Sequence, residues 1–600
     1  MTTQKSLPKT WNLDVIFQGG SRSEELAAFF AQLDADIQQF EAKVGAAQAP
    51  QSEAELRAWA ELIGQAGDLN GRLEEVSEFS ICISSWDTSD EGAPLVAGRV
   101  AALGARLKAA MIRFDALLAQ TGDTMWERLV AQEGVREVEF ALQERRRKVQ
   151  VMLPTEQETL ISALAVDGYE AWERFFEKVI GRVRMNIELD GKVEEHSMST
   201  IYGLYQKPDA DIRRSAYQQA VEALKGEAEL CAAALNSIIG FRLQTYKARG
   251  WESPLQESLL QNGMSEATLN SMWSAVEQGL PRVARYLERR KRLQGVDELH
   301  FVDIYAPAVA KSSKQVTWEE CAEIILEQFG TVSGQMQDLA RRAFEEGWMD
   351  CQKSPQKAPV GFCASFPVTG ESRILGTFSG NLSSVSTLIA HELGHAFHYS
   401  MLKDLPRFAQ LYSKSTAETA STFAERLVMD ALLQKVEDRE ERIALLASKL
   451  DNAVLYCMFT YQAYLFDRSL YAERAHGLVS AERMAELMLQ AQQTAYHGAM
   501  DECSPWMWIW HGHYYDTVTP FYNYPYAFGS LFSAGIYAMA QREGAAFEAK
   551  YIALLRDTGR MSVEELAHKH LGVDLTQQAF WLDAVAIMTG DLEEFLELTK

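Results

Sequence analysis

Proline is scarce, 15 in 600 residues. So little excludes a proline-rich or disordered chain and leaves long stretches free to run as helix. Cysteine is scarce as well. Cys82, Cys231, Cys321, Cys351, Cys363, Cys457 and Cys503 are scattered, odd in number and never spaced as a CxxC pair. That excludes a disulfide framework and reads as reduced thiols. No run approaches 18 consecutive apolar residues, so no membrane-spanning helix is expected. The opening MTTQKSLPKTWNLDVIF lacks an apolar core and a small-residue cleavage site, so no secretory signal is expected, and the location is expected to be cytoplasmic. Positive charge is in deficit, 58 Lys+Arg against 83 Asp+Glu, a net −25. This argues against nucleic acid and against anionic membrane surfaces as partners. Repeats of 20–50 residues and low-complexity tracts are missing too.

What is present is the ordinary material of a large core, 47% hydrophobic and 24% charged residues. At roughly 100–200 residues per domain the length allows three to six domains. Apolar residues at three- and four-residue spacing predict helices over 23–45, 52–80, 95–145, 156–180, 208–247, 265–294, 317–346, 438–475 and 480–496. Ser23 is placed to cap the first, with Glu24 and Glu25 in its first turn. Pro154, Pro208 and Pro281 are read as helix starts or breaks. Strand-like patterns gather between about 298 and 380, in ELHFVDIYAP, APVGFCASFPV and SRILGTFSG. Residues 184–198 read as a hairpin turning at Asp190-Gly191. No linker stands out. A soft boundary near 200 separates an N-terminal helical lobe, 1–200, from a portion carrying the chemistry, 201–600.

That chemistry starts at 391–395, His-Glu-Leu-Gly-His. On a helix, positions i and i+4 share a face, so His391 and His395 can offer two imidazole nitrogens to one zinc ion. Glu392 projects beside them, where it can take a proton from water. Ser383 or Ser384 is placed to cap this helix. A bland reading, a solvated His pair beside a glutamate, has to explain the next segment too. A catalytic zinc site needs a third protein ligand. The stretch STAETASTFAERLVM, 415–429, reads as a second helix, with Glu418 lying 23 residues after His395. Its small neighbours Ala417, Thr419, Ala420 and Ser421 would let the two helices approach closely. Glu418 is therefore read as the third ligand. Glu425, two turns on and on the same face, is read as a carboxylate that orients a histidine.

A third cluster, WMWIWHGHYYDTVTPFYNYPYAFGS at 506–530, is dense in Trp, Tyr and His. Most of it reads as core. His513, with one or two of Tyr522, Tyr524 and Tyr526, is read as the source of donors to an oxyanion. His398 reads as packed or lying behind the ligands, and His476 and His497 as structural. His568 and His570, two apart, point to different helix faces. Cys363 reads as a packing residue.

HELGHAFH at 391–398, AETASTFAE at 417–425 and HYYDTVTPFYNYPYAFG at 513–529 resemble oligoendopeptidase F, of the thimet oligopeptidase family of zinc metallopeptidases. WNLDVIF at 11–17 and ESRILGTFSGN at 371–381 are similar to it too, so the resemblance covers almost the whole chain. It implies a mainly α-helical, two-lobed body with a deep substrate channel, a small antiparallel sheet near the site, and one zinc ion per chain. The implied ligands are His391, His395 and Glu418, with Glu392 as the base, Glu425 adjacent, and His513 and the tyrosines after it on the scissile carbonyl. Backbone around Gly361–Ala364 and Gly376–Gly380 would pair with an extended peptide. The spacing within 513–526 is slightly longer than the family's, which leaves the tyrosine roles unassigned.

The expected function is endopeptidase cleavage of short oligopeptides. A carboxypeptidase or dipeptidyl carboxypeptidase on the same site is the alternative, and a non-catalytic peptide-binding protein is a further one. The oligomeric state is left open.

Overall fold

The computed structural model describes residues 6–189, 191–309 and 315–600, and 71% of it is helical. The first long helix, Glu24–Ala46, shows why. Ser23 Oγ accepts the Leu26 amide at 3.2 Å, and Leu26, Phe30, Leu33, Ile37, Phe40 and Val44 form one buried stripe.

The chain folds as two compact units, neither of them continuous in sequence. Unit 1 gathers Met1–Met152, Lys314–Leu432 and Met539–Gly572, and unit 2 gathers Leu153–Ser313, Leu433–Ala538 and Val573–Lys600. The sequence boundary near 200 lies inside unit 2, within the helix Met198–Tyr205.

In unit 1 the helices Glu24–Ala46, Glu53–Trp86 and Ala93–Gln120 share one core. That core continues into Ala364, Phe366 and Leu375 of a small sheet, and into Leu402 and Phe408. Each of the larger of these, Phe or Leu, contributes about 1.5–3 kcal/mol when fully buried. The hairpin of unit 2 supplies strands β1 (Met185–Leu189) and β2 (Lys192–His196), antiparallel with Met185 opposite His196. Asp190 of the expected turn lies outside the described residues, and Gly191 takes the left-handed φ of 74° that its turn requires.

The unit 1 sheet has β3 (Met349–Asp350), β4 (Phe362–Phe366) and β5 (Glu371–Leu375), in the order β3-β5-β4. The antiparallel pair is β4–β5, with Cys363 opposite Ile374, and the two-residue β3 adds a parallel partner to β5. Lys357 fastens the connection between β3 and β4. Buried, it donates to the carbonyls of Asp350, Gln352 and Gly376, each at 2.9 Å, and pairs with the Asp350 carboxylate. Glu75 fastens the turn between β4 and β5 by accepting the amides of Val368 at 2.8 Å and Thr369 at 3.2 Å.

Three sequence expectations are corrected. ELHFVDIYAP forms a 3₁₀ turn, Phe301–Tyr305, with a single bridge from His300 to Glu502. Asp303 accepts the His300 amide and pairs, fully buried, with Arg213 and Arg214, which draws the segment inward instead of extending it. Pro281 does not break its helix but lies inside Glu266–Leu293. The missing hydrogen bond is offset by packing of that helix against Gln578–Thr589, where Gly279 faces Val585. The pattern over 95–145 divides into Ala93–Gln120, Asp123–Val130 and Glu139–Gln150.

One helix of unit 2, Arg439–Arg474, is long and apolar enough to cross a membrane by length and composition alone. Of its most apolar 18-residue window, 56% is buried inside the protein.

Candidate metal centre

The helix carrying HExxH begins where Asn381 Oδ1 accepts the Ser384 amide at 2.8 Å. The cap is therefore Asn381 and neither Ser383 nor Ser384. A wider π-helical segment, Val385–Ala390, then leads straight into the helix His391–Leu402. Such wide turns are rare and recur at functional sites. The second helix, Lys414–Lys435, crosses the first at Gly394. A Cβ on Gly394 would lie 2.5 Å from Ser421 Cα and 2.6 Å from the Ala420 carbonyl oxygen, so only glycine permits this approach.

The close crossing brings three donors together. His391 Nε2 lies 3.4 Å and His395 Nε2 3.5 Å from the same oxygen of Glu418. All three ligand atoms fall within 4.8 Å of one another. These separations are too long for good hydrogen bonds. They match donors sharing a tetrahedral zinc ion, where ligand distances of 2.0–2.1 Å put neighbouring donor atoms about 3.3 Å apart. The donor set fits the metal that the sequence implies. Behind it, Glu425 Oε2 lies 3.2 Å from His391 Nδ1, which places the proton of the neutral ring on Nδ1 and leaves Nε2 to coordinate. Ser421 donates to Glu418 at 2.7 Å and Ser386 to the Glu425 carbonyl at 2.7 Å, so both acidic residues are anchored.

Without metal, the charges in this site compete. Burial pushes His391 down, but Glu425, Glu418 and Glu392 outweigh it and lift the ring to about 9. Burial raises Glu392 to about 7, against the opposing pull of His391. His395 is held low by burial, and Glu418 stays below its usual value because the two imidazoles outweigh its own burial. Metal binding requires neutral imidazole, so it must displace the His391 proton below pH 9. Zinc titrated calorimetrically at about pH 8, in two buffers of different ionisation enthalpy, should release at least about one proton per ion, the one from His391. Release near zero would contradict this charge balance.

The neighbours have other duties. His398 is fully buried, stacked on Tyr412 at 4.3 Å, with Nε2 2.9 Å from the Thr558 hydroxyl. Tyr399 donates to the Phe366 carbonyl at 2.9 Å. Burial, then Glu392, pushes the Cys363 thiol well up, in keeping with packing. His570 Nε2 lies 2.8 Å from Asp557, apart from the metal centre.

In unit 2 the His513 ring stacks on Tyr522 at 4.1 Å and lies 6.1 Å from the Tyr526 ring. Tyr524 differs. It is 1% exposed, and its hydroxyl accepts from Ser258 at 3.0 Å and from Asn262 at 3.2 Å. Sequence reasoning missed Asn523, which lies between His511 and His513. Its one signal was a polar residue amid aromatics. The role of Gly394 as the crossing point was missed as well, being one of the two variable positions of the motif.

Residues 204–587 match the profile described as peptidase family M3, and residues 118–184 that described as oligopeptidase F. Oligopeptidase PepF of Bacillus subtilis is 22% identical over 422 residues, 68% of this chain but only 61% of that relative's length. A protein of Chlamydophila abortus described as a peptidase has the same fold, with a TM-score of 0.80 at 18% identity and 98% of both chains covered. So does oligoendopeptidase-F of Enterococcus faecium, with a TM-score of 0.69 at 20% identity, covering 96% of this chain and 99% of that one. The M3 profile spans well over half of the sequence and includes His391, Glu392, His395 and Glu418, so the chain belongs to peptidase family M3, a family of metallopeptidases.

Proposed function

We propose that this chain is a zinc-dependent endopeptidase that hydrolyses internal bonds of short oligopeptides. The observation that carries the reading is the grouping of His391 Nε2 and His395 Nε2 around one oxygen of Glu418, with Glu392 buried beside them. Relatives named oligopeptidase and oligoendopeptidase F favour the oligopeptide range. Bound by His391, His395 and Glu418, zinc would supply a Lewis acid that polarises the scissile carbonyl and acidifies water near neutral pH.

The protein's own groups do the rest. Glu392, whose burial raises its proton affinity toward neutrality, takes a proton from the attacking water and returns it to the leaving amine. Glu425 keeps the His391 ring in one tautomer and one orientation. His513, with Tyr522 or Tyr526, donates to the carbonyl oxygen as negative charge develops. This assignment rests on the sequence resemblance, and the Tyr524 hydroxyl, engaged by Ser258 and Asn262, is left out of it. An extended peptide would add to β4, the edge strand of its sheet. Seven cysteines without disulfides suit the cytoplasm.

A digest of peptides blocked at both ends, followed by mass spectrometry with and without chelator, tests the reading. Internal cleavage is expected, limited to short peptides and lost with chelator. Cleavage confined to free C-termini would replace it with the exopeptidase alternative.

A further inference from the structure

Asn523 immediately precedes the helix Tyr524–Glu543 and is 3% exposed. An asparagine there ordinarily caps the helix. Here one end of its carboxamide lies 2.8 Å from His513 Nδ1 and 3.2 Å from His511 Nε2. The two rings stand 4.8 Å apart. The amide nitrogen at the other end has no partner among the described residues. Two residues upstream, Phe521 adopts φ 54°, a left-handed conformation that bulky side chains avoid. Its ring is held by stacking on Tyr471 at 4.8 Å. The strained turn sets the direction from which Asn523 meets the rings, and strain of this kind concentrates at functional sites.

Half a turn about the amide exchanges its two ends, and hydrogen bonding decides between them. With the oxygen toward the rings, both N–H groups are buried and unpaired. With the amino group toward the rings, both N–H groups are used and only a carbonyl oxygen is left. Buried unpaired N–H groups are the rarer and costlier omission. The amino group therefore faces the rings and donates to His513 Nδ1 and His511 Nε2. His511 is able to accept because burial first, then His513, holds it neutral, at about 3. A ring nitrogen that accepts carries no proton, so a neutral His513 bears its proton on Nε2.

We propose that Asn523 is a positioning residue that fixes His513 as the neutral Nε2–H tautomer, a ready hydrogen-bond donor. This deepens the reading of His513 as a donor to the scissile carbonyl and rests on it. With Nδ1 protonated instead, the same neutral ring would present a lone pair to that carbonyl and repel it.

The chain has only 11 histidines, which makes the test tractable. Zinc-loaded full-length protein labelled with ¹⁵N-histidine is read by long-range ¹H–¹⁵N correlation, with His513 assigned by its loss in H513Q. A pyrrole-type Nε2 and a pyridine-type Nδ1 are expected. Asn523→Asp, whose carboxylate only accepts, should place a proton on Nδ1, and at pH values where the ring stays neutral it should lower kcat roughly tenfold with KM within about threefold. A protonated Nδ1 in the unaltered protein would overturn the proposal, with no variant needing to fold. So would an unchanged ring in folded N523D. If the tautomer is as stated but H513Q hydrolyses at full rate, the donor reading fails and the tautomer assignment stands.

Discussion

Glu392→Gln should lower kcat by about 10²–10⁴-fold while one zinc ion per chain stays bound. The substitution keeps the side chain's size and both of its polar ends. It removes the one property the reaction needs, the ability to take a proton and give it back. Glu392 is 7% exposed, so bulk base has little access to replace it. The candidate ligands His391, His395 and Glu418 are untouched, and so is the Glu425 contact with His391. Metal content after dialysis and hydrolysis of a fluorogenic peptide decide the matter. Activity within tenfold of the parent, with zinc retained, would falsify Glu392 as the base.

Gly394→Ala tests the helix crossing, and here two effects oppose. In a helix interior alanine is favoured over glycine by about 1 kcal/mol. At this position, however, the added Cβ would meet backbone at 2.5 and 2.6 Å, and backbone cannot yield by changing rotamer. Overpacking of a tight interior typically costs 1–3 kcal/mol, and contact on backbone belongs at the top of that range. The clash wins, and the helices must separate. Glu418 lies one turn before Ser421 on the displaced helix, so the separation moves it away from both histidines. Metal sites tolerate only about 0.2 Å in ligand distance. Zinc affinity should fall roughly 10²-fold, with a lower unfolding temperature. Titration against a competing chelator reads the first and calorimetry the second. Unchanged values in both would mean that the crossing is looser than described.

The grouping of His391, His395 and Glu418 was legible in the sequence because metal chemistry constrains residue type and spacing together. Two histidines four apart, a glutamate beside the first and an acidic residue among small ones admit few other uses. Glu425 followed from the same helix face. Residues that act through another group left no such trace. Asn523 looks like any turn residue until two ring nitrogens are found beside it, and Gly394 looks like spacing until a second helix lies on it. The element errors have a related cause. ELHFVDIYAP has the alternation of a strand, but the buried pairing of Asp303 with Arg213 and Arg214 overrides it, and those partners lie about 90 residues upstream. Pro281 carries a local stop signal that packing across the helix outweighs. Local pattern describes what a segment prefers, and distant partners decide whether it complies.

The helices that carry His391, His395 and Glu418 are backed by residues synthesised long after them. Tyr551 stacks on Phe423 at 4.5 Å, Arg556 donates to the Met401 carbonyl at 2.8 Å, and Thr558 meets His398 at 2.9 Å. All three belong to Met539–Gly572, the last segment to join unit 1. At ribosomal speeds of 5–20 residues per second, that segment follows the HExxH run by roughly ten to thirty seconds. A nascent chain therefore completes the helix crossing of His391, His395 and Glu418 well before this last backing arrives. A ribosome that stalls short of Met539 leaves these three side chains without that backing.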